Sequence, residues 1–388
     1  MKKKILIYSS SRADIHRYIP IIKKILSENL FKPILFLSSF HKKKNFGNFK
    51  YEIKKLNIKL IDNNIKSKLY DNYSSIINHF CADIKKFNKV LSLLRPKMII
   101  VLGDRYEITS AVLPSVIQNV PIVHLYGGAV TEGAIDEKIR HAITKFSNIH
   151  LVLHKNYFNR IIQLGEEKWR TKIIGLDYLR ELKEQKILSK KLLFKKINLS
   201  ANKKTFFATF HPVTLETKNL SNQIKNFLGA IKKSNYQCIF TYPNSDRGHS
   251  LIIKEIKNFI KKKEDKYIFL KKLNLLEYSN ILRYCDVVIG NSSIGIVEAA
   301  SFKKPVINIG NRQKGKIFPK NVVTCNYTQN NIINSIKYVE SLKFEKTLKG
   351  LKNPYEPKIY NLSRFLNMLL VTKKSDINKK KFIDISNT

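Results

Sequence analysis

The sequence predicts two Rossmann-like, doubly wound α/β domains facing a cleft. Three observations predict it: the chain length, an alternation of short apolar runs with longer helical patterns, and a polar, weakly patterned stretch that divides this alternation in two. At 388 residues the chain is longer than one hydrophobic core serves, so two domains of roughly 150 to 200 residues are expected. Hydrophobic residues make up 43% and aromatic residues 11%, which supplies two cores and excludes a disordered chain.

The first series opens at Met1-Lys2-Lys3-Lys4, followed by Ile5–Tyr8. The chain turns polar at Ser9–Arg12, too soon for the apolar core of a signal peptide, so Ile5–Tyr8 reads as the first strand. Further strands are expected at Pro33–Leu37, Ile58–Ile61, Met98–Leu102, Ile122–Leu125 and His150–Leu153, with helices at Ile15–Ser27, Tyr73–Leu94, Glu107–Gln118 and Glu137–Phe146. The lysine-rich stretch Ile187–Lys203 is the expected linker between an N-terminal domain of residues 1–190 and a C-terminal domain of residues 200–355. The second series has strands at Thr205–Thr209, Cys238–Thr241, Tyr267–Leu270, Val287–Ile289 and Val306–Ile309, and helices at Asn222–Lys233, Ser250–Lys262 and Leu276–Tyr284. Pro357–Leu370 is expected as a closing helix that completes the first half, and Lys373–Thr388, with little periodicity, as a frayed tail.

Composition excludes several functions. No apolar run reaches the ~18 residues of a membrane span, which points to a cytoplasmic protein with no membrane partner. Cys81, Cys238, Cys285 and Cys325 lie far apart without a CxxC pair, fitting a reducing compartment and buried free thiols and speaking against a cysteine-ligated zinc site. The formal charge is +43, yet only 12 of the 72 basic residues are arginine and the lysines are spread over nearly every expected helix and loop. That is a solvated surface rather than a specific nucleic-acid site, although it attracts anionic substrates.

Candidate chemistry gathers at the carboxyl ends of expected strands, where doubly wound sheets bind ligands. Gly103-Asp104-Arg105-Tyr106-Glu107 follows Met98–Leu102, so Asp104 either faces the cleft or caps the next helix. His124-Leu125-Tyr126-Gly127-Gly128-Ala129-Val130-Thr131-Glu132-Gly133-Ala134-Ile135-Asp136 brings three glycines together with His, Tyr, Glu and Asp, a composition for close approach to a bulky polar ligand. Asp136 starts a helix with Arg140 one turn on and His141 beside it, which also fits a plain helix cap. In the second half Gly290-Asn291-Ser292-Ser293-Ile294-Gly295 opens a helix whose free amides suit a diphosphate, and Glu298 is placed to hold a ribose diol. A simple serine cap is the alternative. His211 follows Thr205–Thr209, and Arg12 follows the first strand as a phosphate-binding candidate.

With these segments assembled the chain resembles the hydrolysing UDP-N-acetylglucosamine 2-epimerases, in particular the branch that serves sialic and legionaminic acid synthesis. The matching stretches run in order: Ser11-Arg12-Ala13-Asp14, Leu102–Glu107, Ala134–Asp136 with Ile139–Lys145, Ile162–Glu166, Phe210–Leu215, Tyr242–Asp246, Gly290–Ser293 and Ile307–Gly315. The resemblance implies the GT-B type of two-domain fold, a nucleotide-sugar substrate, a homo-oligomer (dimer or tetramer), and neither metal nor cofactor. The implied reaction removes the C2 proton as the nucleotide leaves C1, then adds water to the resulting glycal. Asp104 and Asp136 match the acid/base carboxylates, with Glu132 and His211 as further catalytic candidates. Arg12, His211, Ser292, Ser293 and Glu298 match nucleotide-binding positions. Arg105, His124, Arg140, His141, Asn244, Asp246, Gly295 and Arg312 lie in the same segments and are candidates for binding substrate.

The chain departs from the family pattern in two loops. Family members carry a glutamate at the position of Tyr126 or of Ala129, and neither is acidic here. Ser9–Arg12 lacks the family's glycine two residues before the arginine, and Ile15-His16 replaces its usual Tyr-Gly. Two other readings therefore stand beside an epimerase: a glycosyltransferase of the same fold, and a nucleotide-sugar-binding protein with reduced catalysis.

Overall fold

A strand such as Met98-Ile99-Ile100-Val101-Leu102 has no polar face, and such a strand is stable only when both faces are covered. In the computed structural model all five of its residues are buried, and the same is true of Thr205–Thr209. The structure describes residues 2–42, 53–63, 65, 72–131, 135–213, 219–244, 246–261, 265–271, 273–357, 365, 367–369 and 371–384. The chain forms two units, the first made of Met1–Ala129, Asp136–Tyr178 and Tyr355–Thr388, the second of Val130–Ile135 and Leu179–Pro354.

Among the described residues the first unit holds a seven-stranded parallel sheet. Its strands are β1 (Lys3–Ser9), β2 (Phe31–Leu37), β3 (Lys59–Asp62), β4 (Met98–Leu102), β5 (Ile122–Leu125), β6 (Ile149–Val152) and β7 (Thr171–Ile173), in the order β3-β2-β1-β4-β5-β6-β7. The second unit has a six-stranded parallel sheet of β8 (Thr205–Thr209), β9 (Gln237–Thr241), β10 (Tyr267–Leu270), β11 (Val287–Gly290), β12 (Val306–Ile309) and β13 (Val322–Cys325), ordered β10-β9-β8-β11-β12-β13. In each sheet the order reverses beside the first strand, between β1 and β4 and between β8 and β11. Those two switch points are where a doubly wound sheet opens a crevice for a ligand.

Each unit has its own core. Leu6, Ile34, Phe36, Phe87, Ile99 and Val101 meet in the first, and Phe206, Phe227, Ile231, Phe240, Ile289 and Ile332 in the second. Among the described residues no helix is long and apolar enough to cross a membrane.

The structure differs from the sequence expectation at segments whose apolar runs are short. The edge strands β7 and β13 are short and only half-covered. The stretch expected as a linker contains the helix Lys190–Lys196, where the Ser189 hydroxyl accepts from the Leu192 amide and two side chains, Leu193 and Phe194, are buried. Much of Pro357–Leu370 lies outside the described residues, although Phe365 and Leu369 are described and buried.

The tail expected to fray is instead anchored over its described residues. Lys374–Asn378 is helical, Ile377 is wholly buried, and the Arg170 guanidinium donates to the carbonyls of Ile377 and Lys379, each at 2.6 Å. A segment held by its main-chain carbonyls leaves no side-chain period to read.

Candidate functional site

At the first switch point, β1 runs into Ser10-Ser11, which the Asp14 carboxylate gathers. It accepts from the Ser10 amide and hydroxyl at 2.8 Å each and from the Ser11 amide at 2.9 Å. Serine hydroxyls and amides thus close this turn without the glycine that the family pattern has there. Arg12 opens the following helix, Arg12–Ser27, and its side chain lies outside the described residues.

Across the switch, β4 delivers Asp104. Arg105, not Asp104, occupies the N-cap position of the helical turn Tyr106–Ile108, so the capping reading does not account for Asp104. Its carboxylate instead receives Arg140, with Nε at 3.2 Å and Nη2 also in contact. The Arg140 side chain is wholly buried, whereas that of Asp104 keeps 33% exposure. Arg140 Nη1 donates to the Ala129 carbonyl at 2.8 Å and to Glu137 Oε2. Burial works against the guanidinium charge, but Asp104 and Glu137 outweigh it and hold the Arg140 pKa above its ordinary value. The other oxygen of Glu137 lies 3.0 Å from His141 Nε2.

Asp104, Arg140, Glu137 and His141 form one polar chain, and Asp136 begins the helix Asp136–Phe146 that carries its last three members. The helix therefore joins two segments, after β4 and after β5, that the sequence brings close only through the fold. Glu137 is the member the sequence reading missed. An acidic residue three before Arg140 and four before His141 was the available signal.

The loop between β5 and this helix holds the positions that break the family pattern. Tyr126 is buried and adopts left-handed backbone, φ 68°, a conformation that costs energy for any residue with a side chain. Burial, reinforced by Asp177 against the effect of Arg17, raises its phenol far above the ordinary range. Tyr126 can donate a hydrogen bond but is no base. Ala129 is buried, and Glu132 lies outside the described residues.

His124 and Arg105 have structural partners. His124 is wholly buried, its Nε2 donates to the Gly103 carbonyl at 2.8 Å, and burial lowers its pKa to about 3, so the ring is neutral. Arg105 forks onto the buried Glu107, Nη2 to Oε1 at 2.6 Å.

The second unit builds its switch point around Asn291. Its fully buried side chain accepts from the His211 amide at 2.6 Å and donates to the His211 carbonyl at 2.8 Å, stitching the end of β8 to the end of β11. The Asn291 carbonyl accepts from Gln313 Nε2 at 2.9 Å and from Arg312 Nη1 at 3.3 Å. His211 Nδ1 in turn accepts from the Asn244 amide at 2.9 Å, which places the ring proton on Nε2. His211, Asn244, Asn291 and Arg312 are thus one hydrogen-bonded group. Asp246 stands just beyond, its carbonyl accepting from the His249 amide at 3.0 Å.

The adjacent turn is set by two close approaches. A Cβ on Gly290 would lie 2.0 Å from the Thr209 carbonyl, and one on Gly295 would lie 2.6 Å from Val306. Gly295 is therefore explained by the packing of its helix on β12. Ser292 caps the short helix Ser293–Val297 by accepting from the Ile294 amide. Ser293 is its first residue, and buried Glu298 ends it with a hydrogen bond from the Tyr278 hydroxyl. Asn291 and Gln313 were not singled out by sequence. A buried side-chain amide beside a strand end is their only signature. Among the described residues no three His, Cys, Asp or Glu side chains cluster to hold a metal ion.

The UDP-N-acetylglucosamine 2-epimerase family model matches residues 23–358. The GDP/UDP-N,N'-diacetylbacillosamine 2-epimerase (hydrolyzing) of Campylobacter jejuni is 33% identical over 346 residues, 89% of this chain and 89% of that protein. A polysialic acid biosynthesis protein of Escherichia coli is 32% identical over 393 residues, covering 99% of this chain and 98% of its own length. The structure of a Neisseria meningitidis UDP-GlcNAc 2-epimerase bound to UDP-GlcNAc matches with a TM-score of 0.78 at 18% identity, over 95% of this chain and 100% of that one.

Proposed function

The chain belongs to the UDP-N-acetylglucosamine 2-epimerase family, and from that premise we propose that it is a hydrolysing nucleotide-sugar 2-epimerase. It converts UDP-N-acetylglucosamine, or a 2,4-diacetamido-2,4,6-trideoxy analogue, with water into the free 2-epimeric sugar and a nucleoside diphosphate, for sialic- or legionaminic-type sugar synthesis. The observation that carries the reading is the Asp104 carboxylate, partly open to solvent at the end of β4 and held by a buried guanidinium.

An unactivated C–H bond needs a positioned base, and Arg140 holds the Asp104 carboxylate in place. As that base takes the C2 proton, the C1–oxygen bond to the diphosphate breaks and its electrons leave with the nucleotide, which forms the C1–C2 double bond of a glycal. Water then adds its hydroxyl to C1 and gives up its other proton to solvent, while an acid, for which Asp136 is the candidate, returns a proton to C2 from the other face. The leaving diphosphate gains charge in this transition state, and His211, Ser292, Ser293 and Arg312 are the groups of the second unit suited to stabilise it. Elimination and hydration need only acid/base groups. We place the enzyme in the cytoplasm, as a homo-oligomer.

Turnover in heavy water tests the reaction itself. The released sugar is expected to carry deuterium at C2, because the proton returned to C2 comes from solvent. A sugar that keeps its original C2 hydrogen would exclude elimination and favour a glycosyltransferase, while absence of any released sugar would favour a binding protein.

The division of labour between the units has its own test. His211→Ala is expected to weaken binding of free nucleoside diphosphate by about tenfold or more, the scale of one charge-assisted hydrogen bond, whereas Asp136→Asn leaves it near wild type. Calorimetric titration measures both. Equal affinities in the two variants would move the diphosphate away from the β8–β11 switch point.

A further inference from the structure

The helix Asp136–Phe146 carries the acid candidate Asp136 at its N-terminus and, through Arg140, the partner of Asp104, and its C-terminus is finished by a residue from the far end of the chain. Lys380 Nζ donates to the carbonyls of Thr144 at 3.2 Å and Lys145 at 2.8 Å in the last turn, and to that of Ser147 just beyond it at 2.7 Å, where helix carbonyls run out of intrahelical donors. The same ammonium pairs with Glu166 Oε2 at 2.7 Å, and a cation there also complements the helix dipole.

The segment around Lys380 is tied down on both sides. Upstream, the Arg170 guanidinium holds the Ile377 and Lys379 carbonyls. Downstream, the Ile383 amide donates to the Gly165 carbonyl at 2.9 Å and the Phe382 ring lies against Gly165. All these contacts lie within the first unit.

We infer that the C-terminal segment 376–383 is a strap that positions the catalytic helix, with Lys380 as its positioning residue. The inference rests on the proposed roles of Asp104 and Asp136. Arg140 sits between the two ends of the helix and is bonded to Asp104, so a helix that frays or slides at its C-terminus moves the guanidinium that aims the base. Misplacement of about 1 Å at a catalytic group is enough to slow a reaction a hundredfold.

Lys380 is also titratable in a useful range. It faces Glu166, Lys145, Arg170 and, through Glu166, His150. Burial, against the pull of Glu166, lowers its pKa from the ordinary 10.5 to about 8. Glu166 does not titrate near that pH. Its burial favours the proton, but His150, Lys145 and Lys380 outweigh burial and hold it at about 2.

Above pH 8 the amine loses one donor and its ion pair, so kcat is expected to fall there. The sign of the linkage separates this from unfolding. Between about 8 and 10.5 the unfolded chain binds this proton more tightly than the folded one, so this group makes the fold more stable, not less, as pH rises.

The test compares Lys380→Met and Lys380→Arg with the wild type. Lys380→Met is expected to lower kcat by about tenfold, with KM changed by no more than about twofold, and to speed amide exchange within residues 142–146. Lys380→Arg, which stays charged, should restore kcat and abolish the fall above pH 8. A Lys380→Met protein with a lower Tm but wild-type kcat and pH profile would overturn the inference and leave the strap a purely structural element. Should that variant fail to fold, Lys380→Arg decides alone, since a fall in kcat at pH 8 that persists in it is equally fatal. Exchange is measured without substrate. If the protein proves not to be an epimerase, faster exchange confined to this helix in Lys380→Met still supports the strap, and unchanged exchange rejects it.

Discussion

Asp104→Asn is expected to lower kcat by at least about a hundredfold, within the range for loss of a general base, and to leave a folded protein. The substitution keeps the shape of the side chain and one of its oxygens, so Arg140 retains an acceptor, but an amide cannot take a proton from carbon. The fold should tolerate the change because the Asp104 side chain is 33% exposed and the buried guanidinium keeps Glu137 and the Ala129 carbonyl as partners. Nucleotide release measures turnover, and thermal denaturation shows whether the variant is folded. Turnover equal to wild type would remove Asp104 from the chemistry and reduce its pairing with Arg140 to a structural one.

How far such a site can be read from sequence depends on what holds each residue. The two parallel sheets were legible because strands covered on both faces are apolar along most of their length: Met98–Leu102 is apolar throughout, and Thr205–Thr209 sets Phe206, Phe207 and Ala208 between two buried threonines. Edge strands escape that rule. β13 has no buried residue, and Val322-Val323-Thr324-Cys325 is too short a run, set between Asn321 and Asn326, to show an alternation. The tail escapes for another reason: its anchors are Arg170 and Lys380 bonded to main-chain carbonyls, and a carbonyl carries no sequence.

Within the site, strand ends point to the right segments while partners stay hidden. Asp104, Arg140 and His141 were all visible in their motifs, but that Arg140 and His141 both turn to Glu137 is a property of the folded helix. His124 and Arg105 show the converse. Polar residues beside a candidate base suggest ligand binding, yet one supports the Gly103 carbonyl and the other pairs with buried Glu107. Asn291 was present in a recognised motif, but its two bonds to the main chain of His211 depend on the β8–β11 pairing, which only the sheet order supplies.

Arg140 carries the second large expected effect, because it is the wholly buried member of the chain that links Asp104 to the helix. Arg140→Met should cost about 2–4 kcal/mol of stability, the scale for loss of several charge-assisted hydrogen bonds around a buried cation. The lower part of that range is favoured because the carboxylates left behind are not themselves buried: Asp104 keeps 33% and Glu137 25% side-chain exposure, and water can solvate them. Activity should suffer more than stability. Without the guanidinium the Asp104 carboxylate is free to rotate, and the helix bearing Asp136 loses its tie to β4. A fall in kcat of about a hundredfold is therefore expected even at temperatures where the variant is fully folded.

Arg140→Lys separates charge from geometry. An ammonium keeps the positive charge but cannot fork between Asp104, Glu137 and the Ala129 carbonyl as the planar guanidinium does. If orientation is what Arg140 supplies, lysine should recover much of the stability yet leave kcat at least about tenfold below wild type. Recovery of kcat in step with stability would mean that charge alone suffices, and that the aim of Asp104 is set by another group. Circular dichroism melts and initial rates on the two variants, measured at one pH below 8 so that Lys380 stays charged, decide between these outcomes.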